Sequence, residues 1–509
     1  MVMGDLLSPI LSLVLGGTVL AALYLLTRRL ATRRAQQKVI KQCGCKPPAK
    51  FPLKDPFFGI DAIYDALRAA KTKSFLDHKK GHYERYGNTF SSKLSTLSVI
   101  STIEPENIKT VLSTAFKDYV VGAPRRDAFF PVLGNSVLLA DGAQWEHSRA
   151  LLRPSFASSQ VSNLSTLDTH VENLIRAIPR DGSAVDLGDL FQRYTADVTT
   201  DFMFGESIQS LSHPECFQDH LMRAFRDAQT GGERRFRLGS FAKFVPQPTF
   251  YQAVNRVHTY VDAHIDKAIK QHEMLQQSHN DPGQEHEKYV FLHELLKLTG
   301  DGQTLRNELI AIFFAGRDTT SALLSNLFFV LARNPHIWQR LRDEVNQLQG
   351  RKPTLDELKA MKYLGCCLNE ALRLYPVVPA SSRVAVRDTV LPEGGGVDEK
   401  SSVFVPAGTL VVFHYFALHQ RKDLWGPDAG EFRPERWQNE KTSWKFLPFG
   451  GGPRNCIGQQ FALTEASYTT VRLVQTFSAV MSRDTEPWTE SLGATCSSAN
   501  GVKVAMTPC

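Results

Sequence analysis

Residues 304–334 read TLRNELIAIFFAGRDTTSALLSNLFFVLARN and stop against Pro335. Wound as a helix, this stretch is apolar on nearly every side. Such a helix is satisfied only by burial through the middle of a large protein, and the proline closes it. The chain has the length for such a core, 509 residues. Other long helical patterns surround this segment, with strand-like alternation only in SKLSTLSVIST (92–102) and SSVFVPAGTLVVFHY (401–415). EGGGVD (393–398) fits a hairpin turn, and MLQQSHNDPGQEHEK (274–288) is polar and loop-like. The expected fold class is therefore mainly α with small β-sheets, in one large domain.

A second apolar run, LLSPILSLVLGGTVLAALYLLT (6–27), contains no charge. A run of ~20 apolar residues spans the ~30 Å hydrocarbon core of a bilayer as a helix. The flank before it is acidic and the flank after it basic, which places the bulk of the chain on the cytosolic side and differs from a cleaved signal peptide. The expected layout is a short lumenal N-terminus at 1–5, a transmembrane anchor at 6–27, a basic and proline-rich linker at 28–57, and a folded domain at 58–509.

Charge follows the same division. Residues 1–50 hold eight basic side chains and one acidic one, the whole net charge of +7. The remainder is balanced, without the basic stripe on the folded body that nucleic-acid binding requires. The eight cysteines stand at 43, 45, 216, 366, 367, 456, 496 and 509, with no CxxC pair. In a cytosolic chain of this size they are expected as reduced thiols.

One cysteine has unusual surroundings. In FLPFGGGPRNCIGQQFALTEASYTTVRL (446–473), three glycines, a proline and an arginine lead into Cys456, and an amphipathic helix follows. Glycines let backbone N–H groups converge on one atom, and a helix start favours thiolate. A metal-binding sulfur and a buried structural cysteine beside a tight turn both fit this local pattern.

The spacing of Phe449, Gly452, Arg454, Cys456 and Gly458 resembles the haem-binding signature FxxGxRxCxG of the cytochrome P450 family. The resemblance covers roughly residues 45–509 and implies the P450-like fold, with heme b (iron-protoporphyrin IX) held through Cys456 as axial ligand. Glu370 and Arg373 look like the family's ExxR element, where an i, i+3 spacing puts both side chains on one helix face. Arg436 in FRPERW (432–437) would close this structural cluster. Ala315, Gly316, Arg317, Asp318, Thr319 and Thr320 resemble the oxygen-binding turn. The small residues would let a planar ligand approach, while Asp318 and Thr319 would deliver the protons that O–O cleavage requires. Trp145 and Arg149 match the WxxxR helix; with Arg383 and Arg454 they are the expected propionate anchors, arginine being suited to paired carboxylates. His147 and His419 lack a second ligand at metal-site spacing.

Within the family, GCKPP (44–48), DPFFGID (55–61), DAGEFRPERW (428–437) and GQQFALTEASY (458–468) look most like the fungal alkane and fatty-acid hydroxylase branch. That implies oxygen insertion near the end of a long aliphatic chain, with Phe129, Phe130, Val132, Phe313, Phe314, Val378 and Pro379 as pocket candidates. Gly450, Asn455 and Ser381 depart from the branch and keep open a tailoring oxidase acting on an alkyl-bearing secondary metabolite. Asp318 and Thr319 argue against a haem-thiolate isomerase or dehydratase and against a non-catalytic haem protein. The implied partners are O2, a lipophilic small-molecule substrate, the lipid bilayer and a membrane-bound NADPH–cytochrome P450 reductase, with Lys445, Arg149 and Arg153 as candidate docking cations. The implied location is the endoplasmic reticulum membrane, single-pass.

Overall fold

A computed structural model describes residues 4–509 apart from 56–58, 95–96, 157–163, 214–219, 278–288 and 441; the side chains of 4–14, 220, 240 and 275–277 are also not described. The principal helices are α1 (Gly4–Gln42), α2 (Ala123–Leu133), α3 (Gly142–Leu152), α4 (Leu187–Phe204), α5 (His220–Leu238), α6 (Pro248–Gln277), α7 (Gly302–Leu331), α8 (Lys362–Leu374) and α9 (Gln459–Thr476). Sheets are small by comparison, so the architecture is mainly helical, as expected.

The all-round apolar pattern of residues 304–334 becomes α7. Asp301 caps it, its carboxylate accepting the Gln303 and Thr304 N–H groups at 3.3 and 3.0 Å. The helix joins two apolar clusters. Leu305, Leu309, Ile310 and Phe313 pack with Phe225, Phe291 and Val257; Leu323, Leu327, Phe328 and Leu331 pack with Phe191, Trp338 and Tyr468. Each such side chain is worth about 1.5–3 kcal/mol when fully buried, so the two ends of α7 are fixed. Between the clusters, Phe314, Ala315, Gly316, Asp318 and Thr319 keep accessible surface. Accessible surface halfway along a central helix marks an internal cleft against it.

The largest sheet runs in the order β1 (Ala49–Lys50), β2 (Thr89–Leu94), β3 (Leu97–Thr102), β9 (Leu410–His414), β6 (Ala380–Ala385), β4 (Tyr119–Val120). The described residues of 92–102 thus belong to two antiparallel strands, β2 and β3. β3 and β9 are parallel, with Val99 opposite Leu410, and β6 is antiparallel to β9, with Arg383 opposite Val411. The turn-rich 393–398 segment does join a hairpin, β7 (Thr389–Gly395) with β8 (Ser401–Val405). A second small hairpin, β11 (Glu490–Leu492) with β12 (Cys496–Ser498), lies against α7.

Two features differ from the expected layout. Residues 28–42 continue α1 as helix, because RRLATRRAQQKVIKQ is made largely of good helix formers and lacks proline and glycine. The proline-rich stretch is sewn to the body: Lys46 N–H donates to Ser402 O, Gly396 N–H donates to Pro47 O, and Ala49 pairs with Phe90. The joint therefore begins at residue 43. Among the described residues no helix is long and apolar enough to cross a membrane. The expected anchor at 6–27 runs along α1, and its side chains up to residue 14 lie outside the described residues, as do residues 1–3 of the expected N-terminus. From Leu15 onward its apolar side chains are exposed: Val19, Leu20, Leu23, Tyr24, Leu25 and Leu26.

Candidate functional site

The loop before α9 is shaped by one close approach. Gly452 has φ +68°, and a Cβ there would stand 1.8 Å from the Leu112 carbonyl oxygen. Only glycine permits that backbone, so the loop is pressed onto the turn at 110–114. Cys456 N–H then donates to Phe449 O at 2.9 Å, closing the loop. The Cys456 side chain is accessible, yet burial still pushes its thiol pKa up. Both hold because the sulfur sits at the bottom of an internal cleft. The Gly458 N–H and the Arg149 guanidinium pull the other way. The helix start alone does not keep a free thiol ionised here; a bound metal cation does so outright.

Arg149, an expected propionate anchor, is engaged with the cysteine loop in this structure. It donates to Asn455 O at 2.7 Å and to Asn455 Oδ1 at 2.8 Å, so α3 clamps the cysteine loop through Asn455. This contact explains the departure at Asn455: an aliphatic residue there would lose one of the two bonds. Trp145, from the same helix, is buried beneath Arg454, whose guanidinium lies 5.1 Å from its ring.

Three arginines do converge: Arg125 at the start of α2, Arg383 in β6, and Arg454. Arg454 pairs with Asp141 at 2.8 Å and donates to Val137 O and Ala140 O. Arg383 donates to Ser382 O at 2.7 Å. Burial first, then the field of Arg383, pushes the pKa of both Arg125 and Arg454 down to about 10. Each cation in turn feels Asp141, the carboxylate these three share. Three buried cations answered by one carboxylate favour an anion with more than one charge. The two propionates of haem fit that donor set, with Cys456 supplying the sulfur. Arg125 escaped sequence reasoning because PRRD carries no spacing that distinguishes it from a surface arginine.

The ExxR residues meet Arg436 as the spacing predicts. Glu370 and Arg373 have no exposed surface and form two parallel bonds of 2.8 Å. Arg436 Nε reaches Glu370 Oε1 at 3.3 Å, Trp437 Nε1 reaches Oε2 at 2.9 Å, and Arg433 N–H donates to Oε1 at 2.9 Å. Arg373 goes on to His419 O, Ala429 O and Glu431 O. His419 is buried and neutral, burial pushing its pKa down to about 3, and its Nε2 accepts the Leu447 N–H. His147 is exposed. Among the described residues no group of three or more His, Cys, Asp or Glu side chains is arranged to hold a metal ion.

On α7, Thr319 Oγ1 donates to Ala315 O at 2.6 Å. Asp318 is not the lone carboxylate the sequence suggests, because the buried Arg317 pairs with it at 2.6 Å. A Cβ on Gly316 would stand 3.3 Å from Thr199 Oγ1, so that glycine admits α4. Thr320 lies near the carboxyl of the buried Glu465 on α9, whose pKa burial pushes up to about 8. Of the expected pocket residues, Phe314 and Val378 keep accessible surface, whereas Val132, Phe313 and Pro379 are buried in the core. Phe129 packs where a Cβ on Gly232 of α5 would come within 2.5 Å, and Phe130 is exposed. Lys445 is not a free docking cation: it pairs with Glu440 at 2.8 Å and lies over the Trp425 ring. Arg153 is exposed. Cys216 lies outside the described residues.

An accessible cysteine in a glycine-shaped loop, converging cations that suit a dianion, and an acid–alcohol pair at the accessible middle of the central helix are the parts a haem-thiolate protein needs. The cytochrome P450 family model matches residues 63–501, and the chain belongs to that family. It is 43% identical over 494 residues to the cytochrome P450 monooxygenase himC of Aspergillus japonicus, covering 96% of this chain and 89% of the relative. It is 39% identical over 479 residues to cytochrome P450 52A12 of Debaryomyces hansenii (88% and 89%), and 39% identical over 462 residues to cytochrome P450 52A3-A of Candida maltosa (86% and 87%). The protein is a cytochrome P450 monooxygenase, an oxidoreductase with haem as cofactor, acting on a lipophilic substrate with O2 and electrons from a redox partner.

Proposed function

We propose that this monooxygenase hydroxylates the terminal or near-terminal carbon of a long-chain fatty acid or alkane. The observation that carries the reading is an apolar aromatic cluster at the accessible middle of α7: Phe314, partly exposed there, lies 5.7 Å from Phe225, whose ring is 4.1 Å from that of Phe313. The sequence resemblance to the alkane and fatty-acid hydroxylase branch supports it. In this reading Cys456 would supply the sulfur that binds the haem iron, Arg149 and Asn455 hold its loop, and Arg125, Arg383 and Arg454 would hold the propionates, with Trp145 packed against Arg454. When bound, haem supplies the redox chemistry that activates O2. The protein's part is to exclude water with the Phe314 cluster and to move protons. Thr319 Oγ1, turned from Ala315 O toward the cleft, offers a proton there, and Asp318, released from Arg317, restores it.

The apolar residues of 6–27 are read as a single-pass endoplasmic reticulum anchor, with the exposed side chains from Leu15 onward in lipid and the catalytic domain cytosolic. The electron donor is then a membrane-bound NADPH–cytochrome P450 reductase. Ser381 and Gly450, which depart from the hydroxylase branch, favour a second reading, oxidation of an alkyl-bearing secondary metabolite.

The carbon monoxide difference spectrum of the reduced protein tests the ligand. A thiolate-type Soret band is expected in the wild type and its loss in Cys456→Ala; survival of the band in that variant sinks the assignment. Binding spectra then separate the substrates. Fatty acids and alkanes should perturb the haem, and a response confined to compact polycyclic compounds would favour the second reading.

A further inference from the structure

Helix α5 crosses the cleft side of α7. Met222 Sδ lies 3.9 Å from Arg317 Nη1, and Phe225 stacks on Phe313. Residues 222, 225, 229 and 233 follow one face at helical spacing, so this wall starts apolar and ends in Gln229 and Glu233. The Glu233 carboxylate sits over the turn joining β11 to β12. Its Oε1 lies 3.1 Å from where a Cβ on Gly493 would stand, so the carboxylate borders the Gly493–Ala494 backbone, with Gln229 beside it on α5. It is mostly buried, and burial pushes its pKa up, assisted by the charge of Asp318. The nearby cations offer little to an incoming anion. Arg317 is committed to Asp318, and Arg237, 3.7 Å from Glu233, is more than half exposed.

We propose that Glu233, held between α5 and the β11–β12 turn, is a specificity-determining residue that keeps anionic groups out of the inner cleft and accepts a hydrogen bond from an uncharged substrate group. An isolated anion brought beside Glu233 and Asp318 meets like charge in partly dehydrated surroundings, where such contacts are weakly screened. A hydroxyl or amide N–H instead finds a free lone pair, since a carboxylate accepts about four bonds. An aliphatic acid therefore enters tail first, and an uncharged polar group is tolerated at the inner end. This inference rests on the aliphatic reading above.

The experiment titrates the haem-loaded full chain with three ligands of equal chain length, dodecane, dodecanol and dodecanoate, and compares the Kd values from the binding spectra. Wild type should bind dodecanol more tightly than dodecanoate. Glu233→Gln keeps the size and an acceptor oxygen beside the turn but removes the charge, and should shift the dodecanoate-to-dodecanol ratio toward dodecanoate by about tenfold; Glu233→Asp should leave it near wild type. An unchanged ratio in Glu233→Gln means the residue only holds the turn, and overturns the inference. So does a wild-type preference for dodecanoate, whether or not the variant folds. If no dodecyl ligand perturbs the haem, the aliphatic reading itself falls, and this inference with it.

Discussion

Two buried carboxyl groups stand on the two helices behind the cysteine loop, and the protein treats them in opposite ways. Glu370 on α8 receives Arg373, Arg436, the Trp437 indole N–H and the Arg433 backbone N–H. Glu465 on α9 is about as deeply buried, has only the neighbouring Thr320 hydroxyl to oppose the burial, and its Oε1 has no hydrogen-bond partner. Burial alone penalises a charge severely. At Glu370 that penalty is offset by two cations; at Glu465 it is avoided by keeping the proton. Depth therefore says nothing about whether a carboxyl in this core is an anion. The partners decide it.

Removing Glu370 should have the largest effect. Glu370→Ala leaves Arg373 and Arg436 as buried cations without their anion, a loss of about 3–5 kcal/mol. The urea midpoint for loss of the thiolate-type Soret band measures it. A shift of under 1 kcal/mol would show that the backbone carbonyls around Arg373 suffice without the carboxylate.

The next contrast is between neighbouring threonines. Thr320 points to Glu465 and Thr319 hydrogen-bonds its own helix. If Thr319 delivers protons in the cleft, Thr319→Ala with the reductase should consume NADPH at a similar rate and yield several-fold less product per NADPH. Unchanged coupling would remove Thr319 from the proton path and turn attention to Thr320 and Glu465.

The two carboxyls also differ in how far the sequence exposes them. Glu370 is legible because its main partner is three residues away, on the same helix face, and Arg436 lies in a motif of its own. The Thr320–Glu465 contact joins residues 145 apart whose types are common anywhere. Arg125 and Glu233 are hidden for the same reason: their neighbours, Arg383 and Ala494, arrive from other elements. The central helix was legible because its pattern admits one environment, whereas Arg317 could not be assigned to Asp318 without knowing that Arg317 is buried. At the N-terminus the proline-rich stretch reads only as a linker, because an edge-strand pairing of two residues leaves no periodic trace. Spacing within an element survives in sequence, and meetings between elements do not.

The last expected effect, graded with pH and not a fixed loss, concerns Glu465. Its pKa is raised by burial to about 8 in the folded protein, whereas in the unfolded chain it takes the ordinary carboxylate value near 4.3. Between those values the folded state holds a proton that the unfolded state has released. Its contribution to stability is therefore complete at pH 4 and is lost progressively as pH rises toward 8, with a slope of at most about 1.4 kcal/mol per pH unit. Glu465→Gln is neutral throughout and lacks this slope. Wild type and variant should nearly coincide at pH 5, and the variant's urea midpoint should exceed the wild type's increasingly from pH 6 to pH 8. Glu370→Gln behaves in the opposite sense, losing its ion pairs at every pH in that range. Parallel pH curves for Glu465→Gln and wild type would mean that Glu465 is ionised when folded, and that the contrast with Glu370 lies in geometry and not in charge.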